Sequence, residues 1–341
     1  MDMHTFLKRI PKVELHIHLI GSIQATTFID LAIKHGVNLP PFKEPGDLYK
    51  FDTILDFLKI YDLVGQTVRD RDDFMRITYE TLQEAYEHGV RHREISWPPM
   101  GHLQMGVPYT NAIDGIIDGI HNAQKDFGIT CWVITSINRM KSPEEACEMV
   151  ELVLSHPREE VVGLGIGYAE ANNPPEKFWK AYRMAAQGGL RLTAHCAEDG
   201  PARNVETCLD LLGCERIDHG YHVLEDERIV KRCRDEGVVF TVCPVATALA
   251  YFGTDFSQHP VRKMKEKGLK IMLNSDDPPM CNTNPSYEYV VCADHMGFTP
   301  EDFREIVMNG IDGAWLPDTK KREFRQEWGK EIDEMISNLD D

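Results

Sequence analysis

Several histidines of this chain are spaced in a way that suits metal binding. His16 and His18 lie one residue apart in the apolar run KVELHIHL, so in an extended strand both imidazoles point the same way. His195, His219 and Asp276 come at the ends of three further apolar runs. Imidazole and carboxylate groups together suit zinc, with a water molecule as the attacking group. The alternative is that these histidines are hydrogen-bonded core residues and that the Asp-Asp-Pro segment caps a turn.

Glu198 is the candidate for acid catalysis. It lies three residues after His195, where the chain leaves the predicted strand, so its carboxyl can reach a pocket without ligating the metal. A carboxyl held against apolar walls can keep its proton at neutral pH and donate it as a general acid. The alternative is an ordinary surface glutamate. We interpret His222, which follows His219 by three residues, as structural.

Short β-rich runs position these residues. They alternate with longer stretches of helical periodicity, such as FMRITYETLQEAYEHG and SPEEACEMVELVLSHP. Glycine precedes several of the runs, as expected where a helix ends in a left-handed glycine and a buried strand follows. The predicted strands span 12–19, 90–97, 129–138, 161–167, 190–196, 216–220, 238–243 and 269–275.

This alternation predicts an α/β fold, a (β/α)8 TIM barrel, with an open doubly wound sheet as the alternative. No glycine-rich phosphate loop follows the first strand, where an open nucleotide-binding sheet usually has one. The long segment 20–89 is predicted to hold extra helices between strands 1 and 2, and 1–341 to form one domain. The carboxyl ends of barrel strands face the active site, and the metal-capable residues lie at those ends.

The composition bears on partners and location. The chain has 37 basic and 55 acidic residues, a net charge of -18, which repels nucleic-acid backbones and anionic membranes. No apolar run is long enough for a membrane span or signal peptide. Nine cysteines without a C-x-x-C pair are expected to be reduced thiols. We therefore expect a cytoplasmic protein whose partner is a small-molecule substrate, not nucleic acid or a membrane.

Five motifs, in order along the chain, resemble those of the adenosine deaminase family of the amidohydrolase superfamily: PKVELHIHLIGS, HCAEDG, RIDHGYH, VCPVAT and LNSDDPP. The resemblance extends over nearly the whole chain. It implies that Glu198 protonates N1 of a 6-aminopurine, that His219 orients and deprotonates the attacking water, and that Asp277 holds N7. It also implies one zinc ion per chain, with the ligands His16, His18, His195 and Asp276.

Three departures from the family pattern concern the substrate. Adenosine-specific members have an aspartate at the position of Ile20, which binds the ribose 5′-hydroxyl, and isoleucine cannot do this. Tyr168 stands where the family has a glycine facing purine N3, and it brings bulk and a phenol into or beside the base pocket. Trp97 and His102, in SWPPMGH, are expected on the distal side of the substrate.

The resemblance and these departures together predict an aminohydrolase that deaminates a 6-aminopurine whose 5′ substituent is apolar or absent, releasing ammonia. Aminodeoxyfutalosine, which carries an aromatic ketone at that end, is one candidate, and free adenine or an N6-substituted adenine is the alternative. A two-metal phosphoester or lactone hydrolase is a further alternative, although the fourth strand ends in Gly167 and Tyr168 without a bridging lysine or glutamate. An inactive purine-binding protein is the last, although every residue assigned to metal binding and proton transfer is present.

Overall fold

A computed structural model describes residues 1–253 and 255–340 of the chain. The fifth predicted strand, 190–196, is divided in two, because the Tyr182 hydroxyl donates to the Thr193 carbonyl at 2.7 Å and replaces a strand partner there. The strands are Lys12–His18 (β1), Val90–Trp97 (β2), Thr130–Asn138 (β3), Val161–Gly167 (β4), Arg191–Leu192 (β5), His195–Cys196 (β6), Arg216–His219 (β7), Val239–Val242 (β8) and Lys270–Leu273 (β9).

The strands form a closed parallel ring made of two arcs. One arc has the order β1-β2-β3-β4-β5 and the other the order β6-β7-β8-β9, and the pairs in both are parallel. The arcs meet where Ile17 bridges Asp276 and the His18 N–H donates to the Asp276 carbonyl at 2.9 Å. At the opposite seam, the Glu215 N–H donates to the Leu192 carbonyl at 2.9 Å and the Asp218 N–H to the Ala194 carbonyl at 3.0 Å. This ring confirms the predicted (β/α)8 barrel.

Helices alternate with the strands, and local sequence sets their ends. Capping boxes at Asp70 and Ser142 begin two of them, and left-handed glycines such as Gly128 and Gly237 end others. The α-helices are Met3–Arg9 (α1), Ala25–His35 (α2), Ile54–Gly65 (α3), Arg71–Glu87 (α4), Pro99–Gln104 (α5), Tyr109–Phe127 (α6), Pro143–Ser155 (α7), Trp179–Gln187 (α8), Arg203–Thr207 (α9), Glu227–Glu236 (α10), Pro244–Thr247 (α11), Val261–Glu266 (α12), Pro285–Met296 (α13), Pro300–Gly313 (α14) and Asp318–Ser337 (α15).

The helices between β1 and β2 are the extra elements that the sequence predicts for 20–89. An apolar cluster that includes Phe28, Phe57 and Phe74 packs α2, α3 and α4 against the barrel. This cluster holds α3 over the carboxyl ends of the strands, where Ile54, Phe57 and Tyr61 face a cavity. Within the described residues, none of the helices combines the length and apolar character needed to cross a bilayer. The assignment of 1–341 to a single domain stays a prediction.

Candidate active site

The four predicted metal ligands meet at the carboxyl ends of the strands. His18 Nε2 lies 3.1 Å from His195 Nε2 and 3.1 Å from Asp276 Oδ1. His16 Nε2 lies 3.3 Å from the same aspartate oxygen. The ring nitrogens of His16 and His18 therefore both approach one carboxylate oxygen, and that of His18 also faces His195.

This arrangement fits a metal ion. His16 Nε2 is buried without a hydrogen-bond partner among the described residues, and the Nε2 atoms of His18 and His195 face each other. An unprotonated ring nitrogen can only accept, so a cation between these atoms would satisfy lone pairs that no donor reaches. Three imidazole nitrogens and one carboxylate are ligand types that zinc takes in proteins.

Asp218 supports two of these histidines from behind. Its Oδ2 lies 3.3 Å from His195 Nδ1, and its Oδ1 accepts hydrogen bonds from the hydroxyls of Thr193 and Thr241, each at 2.8 Å. Burial opposes ionisation of Asp218, but His195 and His16 together hold its pKa below the usual range. Such partners orient ligating histidines. The sequence interpretation missed Asp218, although it directly precedes His219 in RIDHG.

Glu198 and His219 lie together beside this cluster. His219 Nε2 is 3.5 Å from Glu198 Oε1 and 4.0 Å from Asp276 Oδ2. Burial raises the pKa of Glu198 well above its usual range, and the nearby Asp276 and Glu170 charges add to this. Burial lowers the pKa of His219. A protonated carboxyl and a neutral imidazole can therefore adjoin the same space.

The backbone at this end of the barrel is locally strained. Positive φ angles occur at Tyr168 (69°), Ala197 (51°), His219 (66°) and Asp276 (61°), all just after or at the end of a strand. Left-handed backbone is uncommon in residues other than glycine, and strained positions concentrate in active sites. The fold therefore accepts strain where it turns these side chains toward the cavity.

A cavity with about 570 Å³ of empty space, including solvent at its mouth, adjoins these residues. One side is polar and includes Glu198, His219 and Asp277, whose Oδ1 is buried without a partner among the described residues. Much of the remaining lining is apolar. The residues of this part include Ile54, Phe57, Leu58, Tyr61, Pro98 and Tyr251. We call this space the metal-side cavity.

Tyr61 and Tyr168 form one wall of the metal-side cavity. Their rings meet edge to face with centroids 5.8 Å apart, and the Tyr168 hydroxyl donates to Asp62 Oδ1 at 3.1 Å. Both tyrosines also border a second space of about 1010 Å³, the outer cavity. Its lining includes Arg69 and Lys141. The two tyrosines therefore lie between a site with metal-binding geometry and a polar outer space.

Not all the predicted substrate residues reach the metal-side cavity. Asp277 and Tyr168 do. Ile20, only 1% exposed, borders the outer cavity, as His102 does. Trp97 is fully buried and lines neither cavity, and its place on the distal side of the substrate stays a prediction.

Strand geometry accounts for the position of Trp97. Alternate side chains of a strand point to opposite faces, and the indole at the end of β2 projects outward between α4 and α6. Its ring lies 5.6 Å from that of Phe74 and 5.9 Å from that of Tyr109, measured between centroids. Trp97 therefore belongs to the core that supports this side of the barrel.

Comparison with known proteins identifies the family. The family model described as adenosine deaminase matches residues 11–331. The chain belongs to the adenosine deaminase family. It is 33% identical over 323 residues to an adenine deaminase of Cupriavidus metallidurans, an alignment that covers 94% of this chain and 91% of that protein.

Solved structures agree with this assignment. An amidohydrolase from Burkhoderia ambifaria, with bound Zn, superposes with a TM-score of 0.93 at 40% identity and covers 98% of this chain and 93% of its own. An adenine deaminase from Arthrobacter aurescens gives a TM-score of 0.90 at 30% identity, with 95% and 99% coverage. The resemblance found in the sequence is thus confirmed. This member of the adenosine deaminase family is a hydrolase that deaminates aminopurines, and its His/Asp cluster can hold a metal ion.

Proposed function

We propose that this enzyme hydrolyses free adenine to hypoxanthine and ammonia with one zinc ion per chain. The observation that carries the choice of a free base is the wall formed by Tyr61 and Tyr168. By the family resemblance, Tyr168 replaces a glycine at the N3 side of the purine, next to N9. A ribose on N9 would therefore meet the tyrosine pair, whereas a bare base ends before it. The relatives named adenine deaminase support the same choice.

The proposed zinc ligands are His16, His18, His195 and Asp276. When bound, a zinc ion lowers the pKa of water toward neutrality and so supplies a nucleophile. The Burkhoderia ambifaria relative with bound Zn supports this choice of metal.

Proton transfer is assigned to two side chains of the metal-side cavity. His219, kept neutral by its burial, accepts a proton from the water that attacks C6. Glu198 donates its proton to N1, which makes C6 electrophilic. His219 returns its proton to N6, the C6–N6 bond breaks with its electron pair on nitrogen, and ammonia leaves. The remaining C6 hydroxyl gives its proton back to Glu198 and becomes the carbonyl of hypoxanthine. Asp277 is proposed to hold N7 from the other side of the ring.

The position of Ile20 argues for a bare base over a nucleoside with an apolar 5′ group. Ile20 borders the outer cavity, beyond the tyrosine pair. An extended substrate such as aminodeoxyfutalosine would have to displace Tyr168 before its 5′ end approached Ile20. The structure therefore gives less support to the nucleoside that the sequence first suggested than to the alternative of adenine.

A recess beside Glu198 and Asp277 favours N6-substituted adenine as a second candidate substrate. It has about 280 Å³ of empty space, and the same two carboxyl groups are proposed to flank the reacting C6. A small alkyl group on N6 would fit an apolar space there, and hydrolysis would release an alkylamine. The apolar lining consists of Phe51, Ile54, Phe57, Ala246, Ala250 and Cys281.

A substrate panel tests both proposals. The zinc-loaded protein is assayed with adenine, adenosine, N6-methyladenine and aminodeoxyfutalosine for conversion of each to its own 6-oxopurine and for release of ammonia or methylamine. We expect kcat/KM for adenine to exceed that for either nucleoside by at least about 100-fold, since a nucleoside would have to displace the Tyr61–Tyr168 pair before it could react. Faster turnover of a nucleoside would refute the free-base proposal. Absence of methylamine from N6-methyladenine would refute the second candidate alone.

A further inference from the structure

Glu170 is a buried carboxylate bound to the loop that carries Glu198. Its Oε1 accepts the Ala197 N–H at 3.0 Å and the Asn204 side-chain amide at 2.6 Å. Its Oε2 accepts the N–H groups of Glu198 at 3.1 Å and Gly200 at 3.0 Å. Glu170 is only 5% exposed, so these donors have a single acceptor side chain in place of water. Without it, three buried backbone N–H groups would lose their partner.

The loop is shaped to admit this carboxylate. Ala197 takes a left-handed φ of 51°, which is unfavourable for alanine and needs compensation from its surroundings. At Gly200, a Cβ atom would lie 2.5 Å from the Glu170 Cδ, so only glycine lets the backbone approach this closely. The strained turn and the close approach are both centred on the Glu170 carboxylate.

The Glu198 side chain depends on this backbone for its position. Among the described residues, its carboxyl makes no hydrogen bond, and its Oε1 lies 3.5 Å from His219 Nε2. A side chain without its own hydrogen bonds is placed by the loop to which it is attached. Glu170 does not line the metal-side cavity itself.

We propose that Glu170 is a positioning residue, which fixes the 197–200 loop so that the Glu198 carboxyl meets the substrate ring nitrogen. This inference rests on the proposed function, because it takes Glu198 as the acid. Loss of Glu170 would let the Glu198 carboxyl move by about 1 Å. A displacement of this size in a reacting group costs on the order of 10²-fold in rate. Metal binding would continue, since the four proposed ligands are on other side chains.

The test is a double-mutant cycle on adenine hydrolysis. Glu170→Gln keeps the size of the side chain but presents an amide to N–H donors, so kcat should fall by about 30- to 100-fold with KM and zinc content nearly unchanged. Glu198→Gln should lose about 10²- to 10⁴-fold. The double variant should lose no more than Glu198→Gln alone, because Glu170 acts through the acid.

Glu288→Gln is the matched control. Glu288 is also a buried carboxylate that accepts a backbone N–H, that of Val245 at 3.0 Å, but it is on α13 and does not bind the Glu198 loop. In the double variant Glu288→Gln/Glu198→Gln, the fold-loss in kcat should equal the product of the two single losses. If the losses of Glu170→Gln and Glu198→Gln also multiply, Glu170 has only a general structural role and the proposal is overturned.

Two outcomes separate this proposal from the proposed function. Should Glu198→Gln retain near-normal turnover, the assignment of the acid fails, and the positioning role fails with it. If Glu170→Gln does not fold, Asn204→Ala replaces it in the cycle, because it removes the 2.6 Å contact that holds Glu170 from the far side. Asn204→Ala should reduce kcat by less than Glu170→Gln does. If this reduction disappears when Glu198→Gln is also present, the positioning role is supported; if the two reductions multiply, it is overturned.

Discussion

Burial shifts the pKa values of Glu198 and His219 in opposite directions within the same cavity. Burial raises the pKa of the Glu198 carboxyl and lowers that of the His219 imidazole, so the carboxyl can give a proton while the imidazole takes one. Two groups with such separated pKa values suit an addition in which water loses a proton and a ring nitrogen gains one. The pair therefore supplies both proton transfers without a further side chain.

We predict that Glu198→Gln keeps the fold and the metal but loses about 10²- to 10⁴-fold in kcat for adenine, because an amide does not deliver an acidic proton to N1. Ammonia release measures kcat, and metal analysis confirms loading. Glu225→Gln is the control, since Glu225 is exposed and pairs with His222 away from the cluster. Turnover by Glu198→Gln within tenfold of the wild type would show that another group donates the proton.

His16→Ala should lower the zinc content of the protein as well as its activity. His16 Nε2 faces the shared Asp276 oxygen, and removing it leaves two imidazoles and one carboxylate. Zinc content after purification, measured by mass spectrometry, should fall well below one per chain. His222→Ala removes a histidine whose Nδ1 pairs with Glu225 at 2.7 Å, and it should keep full zinc. Equal zinc in the two variants would place the metal elsewhere.

The tyrosine wall joins helix α3 to the segment after β4 and sets the length of the substrate. Tyr168→Gly should remove the wall and also relieve the positive φ of 69° at this position. We expect the kcat/KM ratio of adenosine to adenine to rise at least about tenfold. Tyr168→Phe is the matched control, because it keeps the ring and loses only the bond to Asp62. A ratio unchanged by Tyr168→Gly would mean that another element excludes the ribose.

Ile20 is expected to affect the choice between adenine and adenosine only when Tyr168 has been replaced by glycine. Because Ile20 borders the outer cavity, Ile20→Asp alone should leave the preference for adenine unchanged. Combined with Tyr168→Gly, it should raise adenosine kcat/KM above that of Tyr168→Gly alone, since an aspartate can accept a hydrogen bond from the 5′-hydroxyl. Steady-state kinetics of the three variants decide this. A gain from Ile20→Asp in the presence of Tyr168 would show that nucleosides already reach this residue.

The strands and the metal cluster could be predicted from sequence because both follow periodic rules. Short β-rich apolar runs that alternate with helical stretches, several of them preceded by glycine, marked the strands, and histidines at their ends marked the site. The outward face of Trp97 and the recessed position of Ile20 could not be predicted, because they depend on how α3, α4 and α6 pack. Glu170 and Asp218 could not be predicted either. A carboxylate that binds backbone N–H groups or a histidine does not occur at a characteristic spacing in the sequence.

Closure of the barrel brings the two ends of the sequence together at the site. Glu14 on β1 accepts the Ser275 N–H at 3.0 Å through Oε1 and the Arg93 Nε at 2.7 Å through Oε2. One buried carboxylate thus links the strand that carries His16 to the segment that carries Asp276. The geometry of the metal ligands therefore depends on ion pairs inside the barrel as well as on the cavity residues.

A second buried ion pair, between Glu94 and Arg216, joins opposite sides of the barrel. Arg216 Nη1 lies 2.6 Å from Glu94 Oε2, and the Trp315 N–H donates to Glu94 Oε1 at 2.6 Å. Both charged side chains are fully buried. Removing one charge leaves the other without compensation, so Glu94→Gln should lower the free energy of unfolding by about 3–5 kcal/mol. Urea unfolding followed by circular dichroism measures this.

The pH dependence of stability gives this prediction a second readout. Burial opposes ionisation of Glu94, but Arg216 and His92 together lower its pKa below the usual value. Glu94 then contributes stability that is present above the pKa of the unfolded chain and is lost as the pH falls through the lower folded pKa. Glu94→Gln should lose this part of the acid dependence. Glu215→Gln, which breaks the exposed pair with Arg191, should change stability by less than about 1 kcal/mol at any pH. Equal effects of the two substitutions would show that the buried pair does not support the barrel.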